Sequence, residues 1–288
     1  MKTSISVTNF SWRDGTMAER LGEIAEAADA GGLDALWVAD HVLQTDPYGA
    51  RPHETEMLES WTTLGYLAAR TSRIRLGTLV SAATFRPPAL LVKAVTTLDV
   101  ISGGRALFGI GAGYQADEAT AMGLPLPPLP ERFDRLEETL QIALRLWTGD
   151  TRPYRGKHYA LDAPVCSPLP VSRPHPPILI GGTGEKRTLP LVARYADACN
   201  VFDIPDGGET TRRKLAVLRG LCEGIGRPYE EIEKIMATRL QPGESAAAFA
   251  DRCAAFTPLG IDHVVVLTTG PWTPETVDTV AQAARRLT

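Results

Sequence analysis

The sequence predicts a (β/α)8 TIM barrel with loop insertions. Short β-rich runs alternate with longer helical patterns along the chain, eight of each can be counted, and several of the strands are continuous apolar runs: ALWVA, ILI, VVVL. Strands covered on both faces read this way. Strand–helix alternation implies parallel pairing through right-handed crossovers, and eight such units close a barrel. An open doubly wound sheet is the alternative topology. The 288 residues, 44% hydrophobic and 22% charged, suit one α/β-barrel domain over 1–288.

The first strand is Ile5–Thr8, followed by helix Met17–Ala30, which the glycine pair Gly31-Gly32 ends. Strand Ala35–Ala39 and helix Ser60–Arg70 come next. Strand Ile74–Val80 leads through Pro87-Pro88, which sets a helix start, into Pro88–Val100. Strand Ala106–Ile110 precedes helix Glu131–Trp147. Then come Ile178–Ile180 with Lys186–Tyr195, Ala198–Phe202 with Thr210–Ile225, and Ile232–Ala237 with Ser245–Phe256. The last pair is His263–Leu267 with Pro274–Leu287, whose Thr273-Pro274-Glu275 start reads as an N-cap with proline at the first helical position. Two stretches break the rhythm. Gly149–Pro177 is proline-rich and too long for an ordinary connector; it reads as an insertion with a small hairpin over Tyr154–Leu161. Leu124–Pro130 (LPLPPLP) is a stiff, polyproline-like loop.

Net charge is −4, with no basic face for nucleic acid. The four cysteines, Cys166, Cys199, Cys222 and Cys253, form no CxxC pair and have no histidine cluster beside them. That fits neither a zinc site nor a disulfide framework, and reduced thiols in a cytoplasmic protein are the simplest reading. The first residues, MKTSISVTNFSW, lack the apolar run of a signal peptide, and no run is long enough to span a bilayer.

Barrel active sites sit at the C-terminal ends of the strands, so the residues just after each strand are the candidates. Asp40-His41 follows the second strand. Histidine exchanges protons near neutral pH and a neighbouring carboxylate can orient its ring; equally, Asp40 could cap a loop and His41 stand exposed on it. The third strand runs into Thr78, Ser81, Thr84 and Arg86. The fourth runs into alternating Gly109, Gly111 and Gly113, where backbone is open to a ligand, followed by Tyr114 and Asp117. This matches a Rossmann fingerprint only faintly. The fifth ends in Gly181-Gly182-Thr183-Gly184 at a helix start, a ready anion site, with Lys186 and Arg187 adding charge. No lysine ends a strand, which argues against a Schiff-base aldolase. HxH, HExxH and GxSxG are absent, which argues against a metal hydrolase or a serine-elbow enzyme. His53, His158, His175 and His263 are scattered, and His263, opening the last strand, falls at the opposite end of the barrel.

Taken together, ALWVADH, IRLGTLV…ATFRPP, LDVISGGRALFGIGAG and PPILIGGTGEKRTLPLVARYADACNVF resemble the luciferase-like monooxygenase superfamily. The closer likeness is to its branch that uses the deazaflavin coenzyme F420. The resemblance spans nearly the whole chain and implies a commonly dimeric barrel with the cofactor across its C-terminal end. It places Asp40 and His41 near the reactive end of the cofactor, with His41 as general acid/base. It implies a non-prolyl cis peptide at Leu79–Val80 against the cofactor ring. It puts Gly111, Ala112, Gly113 and Tyr114, with Asp117 further on, along ring and tail, and makes Gly181, Gly182, Thr183 and Gly184 the phosphate loop. Some sugar-phosphate dehydrogenases of the branch carry a catalytic glutamate where Tyr114 stands, so the sequence departs from them there. The implied activity is hydride transfer between F420 and a small organic substrate in a cytoplasmic homodimer without membrane or nucleic-acid partners. Tyr114 and the loops Leu124–Pro130 and Gly149–Pro177 would close over that substrate. Two rivals remain: an FMN-dependent monooxygenase with the FMN phosphate in the same loop, and a non-catalytic cofactor carrier. Lys186 and Arg187 favour F420, whose polyglutamate tail wants cations.

Overall fold

The computed structural model describes residues 1–44 and 56–287; His53 lies outside them. In chain order the elements are β1 (Lys2–Val7), α1 (Met17–Ala30), β2 (Ala35–Val38), α2 (Ser60–Arg70), β3 (Arg75–Thr78), β4 (Ser81–Ala82) and α3 (Pro88–Ile101). Then follow β5 (Ala106–Gly111), α4 (Ala116–Met122), α5 (Leu129–Trp147), β6 (Tyr154–Arg155), β7 (Ala160–Leu161), β8 (Ile178–Ile180) and α6 (Thr188–Tyr195). The chain ends with β9 (Ala198–Phe202), α7 (Glu209–Ile225), β10 (Glu233–Arg239), α8 (Ala246–Ala254), β11 (His263–Leu267) and α9 (Pro274–Leu287).

Among the described residues, eight parallel strands form a closed barrel. The hydrogen-bonded order runs β3-β2-β1-β11-β10-β9-β8-β5, and β5 pairs back onto β3. The apolar strands are covered on both faces. Leu36 and Val38 of β2 join the layer between strands and helices, while Ala35 and Trp37 point into the barrel. There they meet Leu107, Leu179, Ala198, Ile235 and Val265. The period-2 alternation of a strand is thus hidden in the sequence because both of its faces are apolar. Trp37 satisfies its indole N–H inside the barrel by donating to Ser4 Oγ at 3.2 Å.

One strand departs from the sequence reading. Ile74–Val80 reads as a single run, but β3 stops at Thr78, the Leu79–Val80 peptide is cis, and β4 resumes at Ser81. Leu76 and Gly77 pair with Ala106 and Leu107, while Ser81 and Ala82 pair with Ile110 and Gly111. Three residues, Thr78 to Val80, therefore oppose two, Phe108 and Gly109: a bulge. A one-residue slip of this kind leaves no trace in an all-apolar pattern.

Helix α6 starts at Thr188, two residues after the expected Lys186, because Gly184 to Arg187 form a turn closed by Leu189 N–H donating to Gly184 O at 3.0 Å. Helix α4 went unread in the sequence. It is short, with Asp117 and Glu118 in its first turn and Gly123 ending it in the left-handed region at φ 65, signals that fit its dipole and its stop. The expected hairpin in Gly149–Pro177 is present as antiparallel β6 and β7. Two buried carboxylates fasten the insertion. Glu138 of α5 accepts backbone N–H bonds from Lys157, His158 and Tyr159 at 2.9–3.0 Å. Asp99 of α3 accepts from the amides of Val171 and Ser172 at 2.6 and 2.9 Å and from Ser172 Oγ at 2.6 Å. Glu138→Ala would strand three amides at a site 8% exposed, so we expect a loss of about 2–3 kcal/mol in denaturant unfolding. A loss under about 0.5 kcal/mol would mean that the hairpin is not held there.

Candidate active site

The C-terminal ends of the strands bring the sequence candidates to one mouth. The bulge after β3 drives Val80 toward the neighbouring strand ends. A Cβ built on Gly111 would meet Val80 Cγ2 at 3.0 Å, and one on Gly181 would meet it at 2.7 Å. On Gly109 a Cβ would lie 1.8 Å from the Thr78 carbonyl oxygen. The alternating glycines of β5 were read as a place where ligand approaches backbone. For Gly109 and Gly111 the structure supplies a different reason: it is the chain's own bulge that approaches. Gly113, at φ 78, lies beyond the strand and its carbonyl accepts from Arg132 Nη1 at 2.6 Å.

His41 follows β2 and is largely buried, with 15% of its side chain exposed. Its ring orientation is set by a residue the sequence reading did not single out. Glu118 of α4, fully buried, places Oε2 at 2.7 Å from His41 Nδ1. Its Oε1 accepts from the amides of Val42 and Leu43 at 2.6 and 3.0 Å. Burial pushes the Glu118 carboxyl up, but the hydrogen bonds from His41 and from those two amides outweigh it and hold it below the usual range. An ionised carboxylate only accepts, so Nδ1 carries the proton and Nε2 is left as the exchangeable site of neutral His41. The Tyr114 ring stands edge-on to the imidazole, centroids 5.9 Å apart at 86°.

Asp40 is not the partner of His41. Its carboxylate, 3% exposed, accepts from both terminal nitrogens of Arg86 at 2.6 and 2.9 Å and from Ser60 Oγ at 2.7 Å. Arg86 also reaches Glu59 at 2.6 Å. This cluster ties α2, the β4–α3 loop and the end of β2 together, and leaves Asp40 its backbone for any ligand. Asp117 stands exposed on the outer side of α4 while Glu118 and Ala119 are buried. The phase of that short helix, unread in the sequence, decides which of the two adjacent carboxylates faces in.

Ala112 and Gly113 follow β5 directly. Gly181, Gly182, Thr183 and Gly184 follow β8, and Gly182 adopts φ 97. The loop lies at the dipole-positive end of α6. Of the two cations the sequence offered there, Arg187 is engaged: it pairs with Asp134 at 2.7 Å and covers the Phe133 ring. Lys157 and Arg187 hold the Asp134 carboxyl down to about 2. Lys186 is exposed. A cation missed in the sequence, Lys214 of α7, reaches the loop through Glu185 at 2.7 Å. His263 lies at the N-terminal end of β11, buried against Ser4 and Glu233, far along the strands from the mouth.

The luciferase-like monooxygenase family model matches residues 1–279. An F420-dependent glucose-6-phosphate dehydrogenase of Kineococcus radiotolerans is 31% identical over 252 residues, covering 84% of this chain and 69% of that protein. One of the same description from Amycolatopsis mediterranei is 29% identical, covering 84% and 70%. Among solved structures, an F420-dependent secondary alcohol dehydrogenase in complex with an F420-acetone adduct superposes with a TM-score of 0.84 at 17% identity, covering 100% of this chain and 99% of that one. A monooxygenase from Streptomyces bottropensis gives 0.82 at 20% identity, covering 100% and 98%. At such identities the structural likeness speaks for the fold, whereas the family match runs through nearly every strand and helix described above. The chain belongs to the luciferase-like monooxygenase family.

Proposed function

We propose that the protein is an F420-dependent oxidoreductase that transfers hydride between the deazaflavin and a small organic substrate. The observation that carries this reading is the His41–Glu118 pair, a proton donor and acceptor of fixed tautomer, at the barrel mouth. The mouth suits a planar ring. Large apolar side chains at strand ends stand uncovered there, Tyr114 at 71% and Phe202 at 51% exposure, and Gly111 and Gly181 leave the room that Val80 of the bulge fills. Leu79, Val80, Gly111, Ala112, Gly113 and Tyr114 would line the ring, with the Asp40 backbone at its edge. Gly181, Gly182, Thr183 and Gly184 would take the phosphate, and Asp117, exposed on α4, would meet only the outer end of the tail.

When bound, the cofactor would supply or accept a hydride, two electrons at a time. A substrate carbon that gains hydride leaves an electron-rich atom, to which His41 in its doubly protonated, imidazolium form would give the Nε2 proton, returning to the neutral Nδ1–H tautomer; in the reverse direction the bare Nε2 of neutral His41 would take that proton. Glu118 holds the ring through both states. The Asp40–Arg86–Ser60 cluster braces the loop that carries it.

Parallel titrations with F420 and FMN test the cofactor. F420 should bind and FMN should not compete at equal concentration; preferential FMN binding would move the protein to the monooxygenase reading. The anion loop is tested at Thr183 and not at Gly182, since any side chain at φ 97 strains the backbone. Thr183→Glu should weaken F420 about 100-fold by setting a negative charge against the phosphate, and unchanged affinity would misplace the loop.

We also read the chain as a cytoplasmic homodimer. All four cysteines are free, which supports the first part. Leu90 and Ile101 stand exposed on α3, at 58% and 60%, which supports the second. No helix among the described residues is long and apolar enough to cross a membrane.

A further inference from the structure

Beside the mouth lies an open cleft of about 540 Å³, within the size range of small-molecule pockets. Pro125, Leu126 and Pro127 form one wall, Phe85 and Pro87 the other, and Tyr159 of the insertion stands at one end. Two links join the cleft to the reacting groups. Arg86 lines it and grips Asp40, the residue before His41. Leu126 and Thr84 pack around Gly113, the residue before Tyr114: a Cβ there would meet Leu126 Cδ1 at 3.3 Å and Thr84 Oγ1 at 3.8 Å.

The charges of the cleft are already spent. Arg86 gives its terminal nitrogens to Asp40 and Glu59. Arg135 pairs with Glu131 at 2.7 Å and lies over the Tyr159 ring. Both guanidiniums that line the cleft are thus already paired with carboxylates, and an anion entering here would find neither of them free. Proline and aromatic faces make up most of the remaining surface. One polar group stands apart. Thr84 is 6% exposed and its hydroxyl has no partner among the described residues. That oxygen is itself closed off and faces Gly113, 3.8 Å from where a Cβ there would sit, so it offers a ligand in the cleft no hydrogen bond.

We propose that this cleft holds the body of the substrate, and that this substrate is an uncharged, largely apolar molecule, not a sugar phosphate. The proposal rests on the oxidoreductase reading for its chemistry, but its binding part stands alone.

The test uses the full chain, with and without F420, and two probes: 2-tetralone, an uncharged ketone, and glucose 6-phosphate. Binding is followed by saturation-transfer NMR and calorimetry. 2-Tetralone should bind saturably and glucose 6-phosphate should not displace it. Leu126→Trp, which fills the cleft, should weaken 2-tetralone about tenfold or more while F420 affinity changes by less than about twofold. Displacement by glucose 6-phosphate would overturn the proposal. So would undiminished 2-tetralone binding to Leu126→Trp, or a loss of F420 binding in that variant with 2-tetralone retained, which would give the cleft to the cofactor. If F420 fails to bind the parent protein while 2-tetralone behaves as stated, the cofactor reading falls and the cleft stands.

Discussion

Replacing His41 with alanine is expected to lower turnover about 10²- to 10⁴-fold while cofactor affinity stays within about twofold, the signature of a lost proton-transfer group. Added imidazole should restore part of the rate. Glu118 acts through His41, and two variants separate its role from simple packing. Glu118→Ala frees the ring and strands the amides of Val42 and Leu43; its turnover should fall as far as that of His41→Ala. Glu118→Gln keeps the shape and one acceptor and should recover about tenfold of that loss. Steady-state kinetics with F420 and a reactive ketone, beside F420 titrations, would measure all three. Unaltered turnover in His41→Ala removes the imidazole from the mechanism.

The second large effect is expected at Gly109. A methyl group there would sit 1.8 Å from the Thr78 carbonyl oxygen and 2.9 Å from its carbon. Both are backbone atoms of a buried strand and neither can swing aside. Gly109→Ala should therefore cost more than about 4 kcal/mol, or leave no soluble protein. Gly220, exposed on α7 with nothing within 4 Å of a new Cβ, is the control: Gly220→Ala should stabilise by about 0.5–1 kcal/mol. Melting curves of the two variants decide the matter, and a Gly109→Ala protein that melts with the parent would show that the bulge yields.

The sequence made the barrel legible because its evidence is local. Helix α1 runs over Met17–Ala30 and ends at the Gly31-Gly32 pair as expected, and α2 and α9 also run over their expected residues. The site was legible only in part. His41 and the glycine turn after β8 could be read from their place at strand ends. The bond that orients His41 joins residues 77 apart in sequence, and no local pattern marks it. Asp40 drew attention by adjacency, yet its partner, Arg86, lies 46 residues on. The glycines of β5 were noticed for the right property, the missing side chain, and given the wrong neighbour. Arg187 counted as charge for a ligand until its contact with Asp134, 53 residues earlier, was seen.

The two clasps on the insertion bear on how a molecule gets in and out. The hairpin is moored to α5 and the segment around Val171 to α3, each through a carboxylate that would be left with empty acceptors if the strap lifted. The strap therefore travels with the helical ring and does not swing as a door. Pro125 and Pro127, which line the cleft beside the moored strap, are stiff in their own backbone, so a guest there meets two walls that yield little and has to fit the opening as it stands.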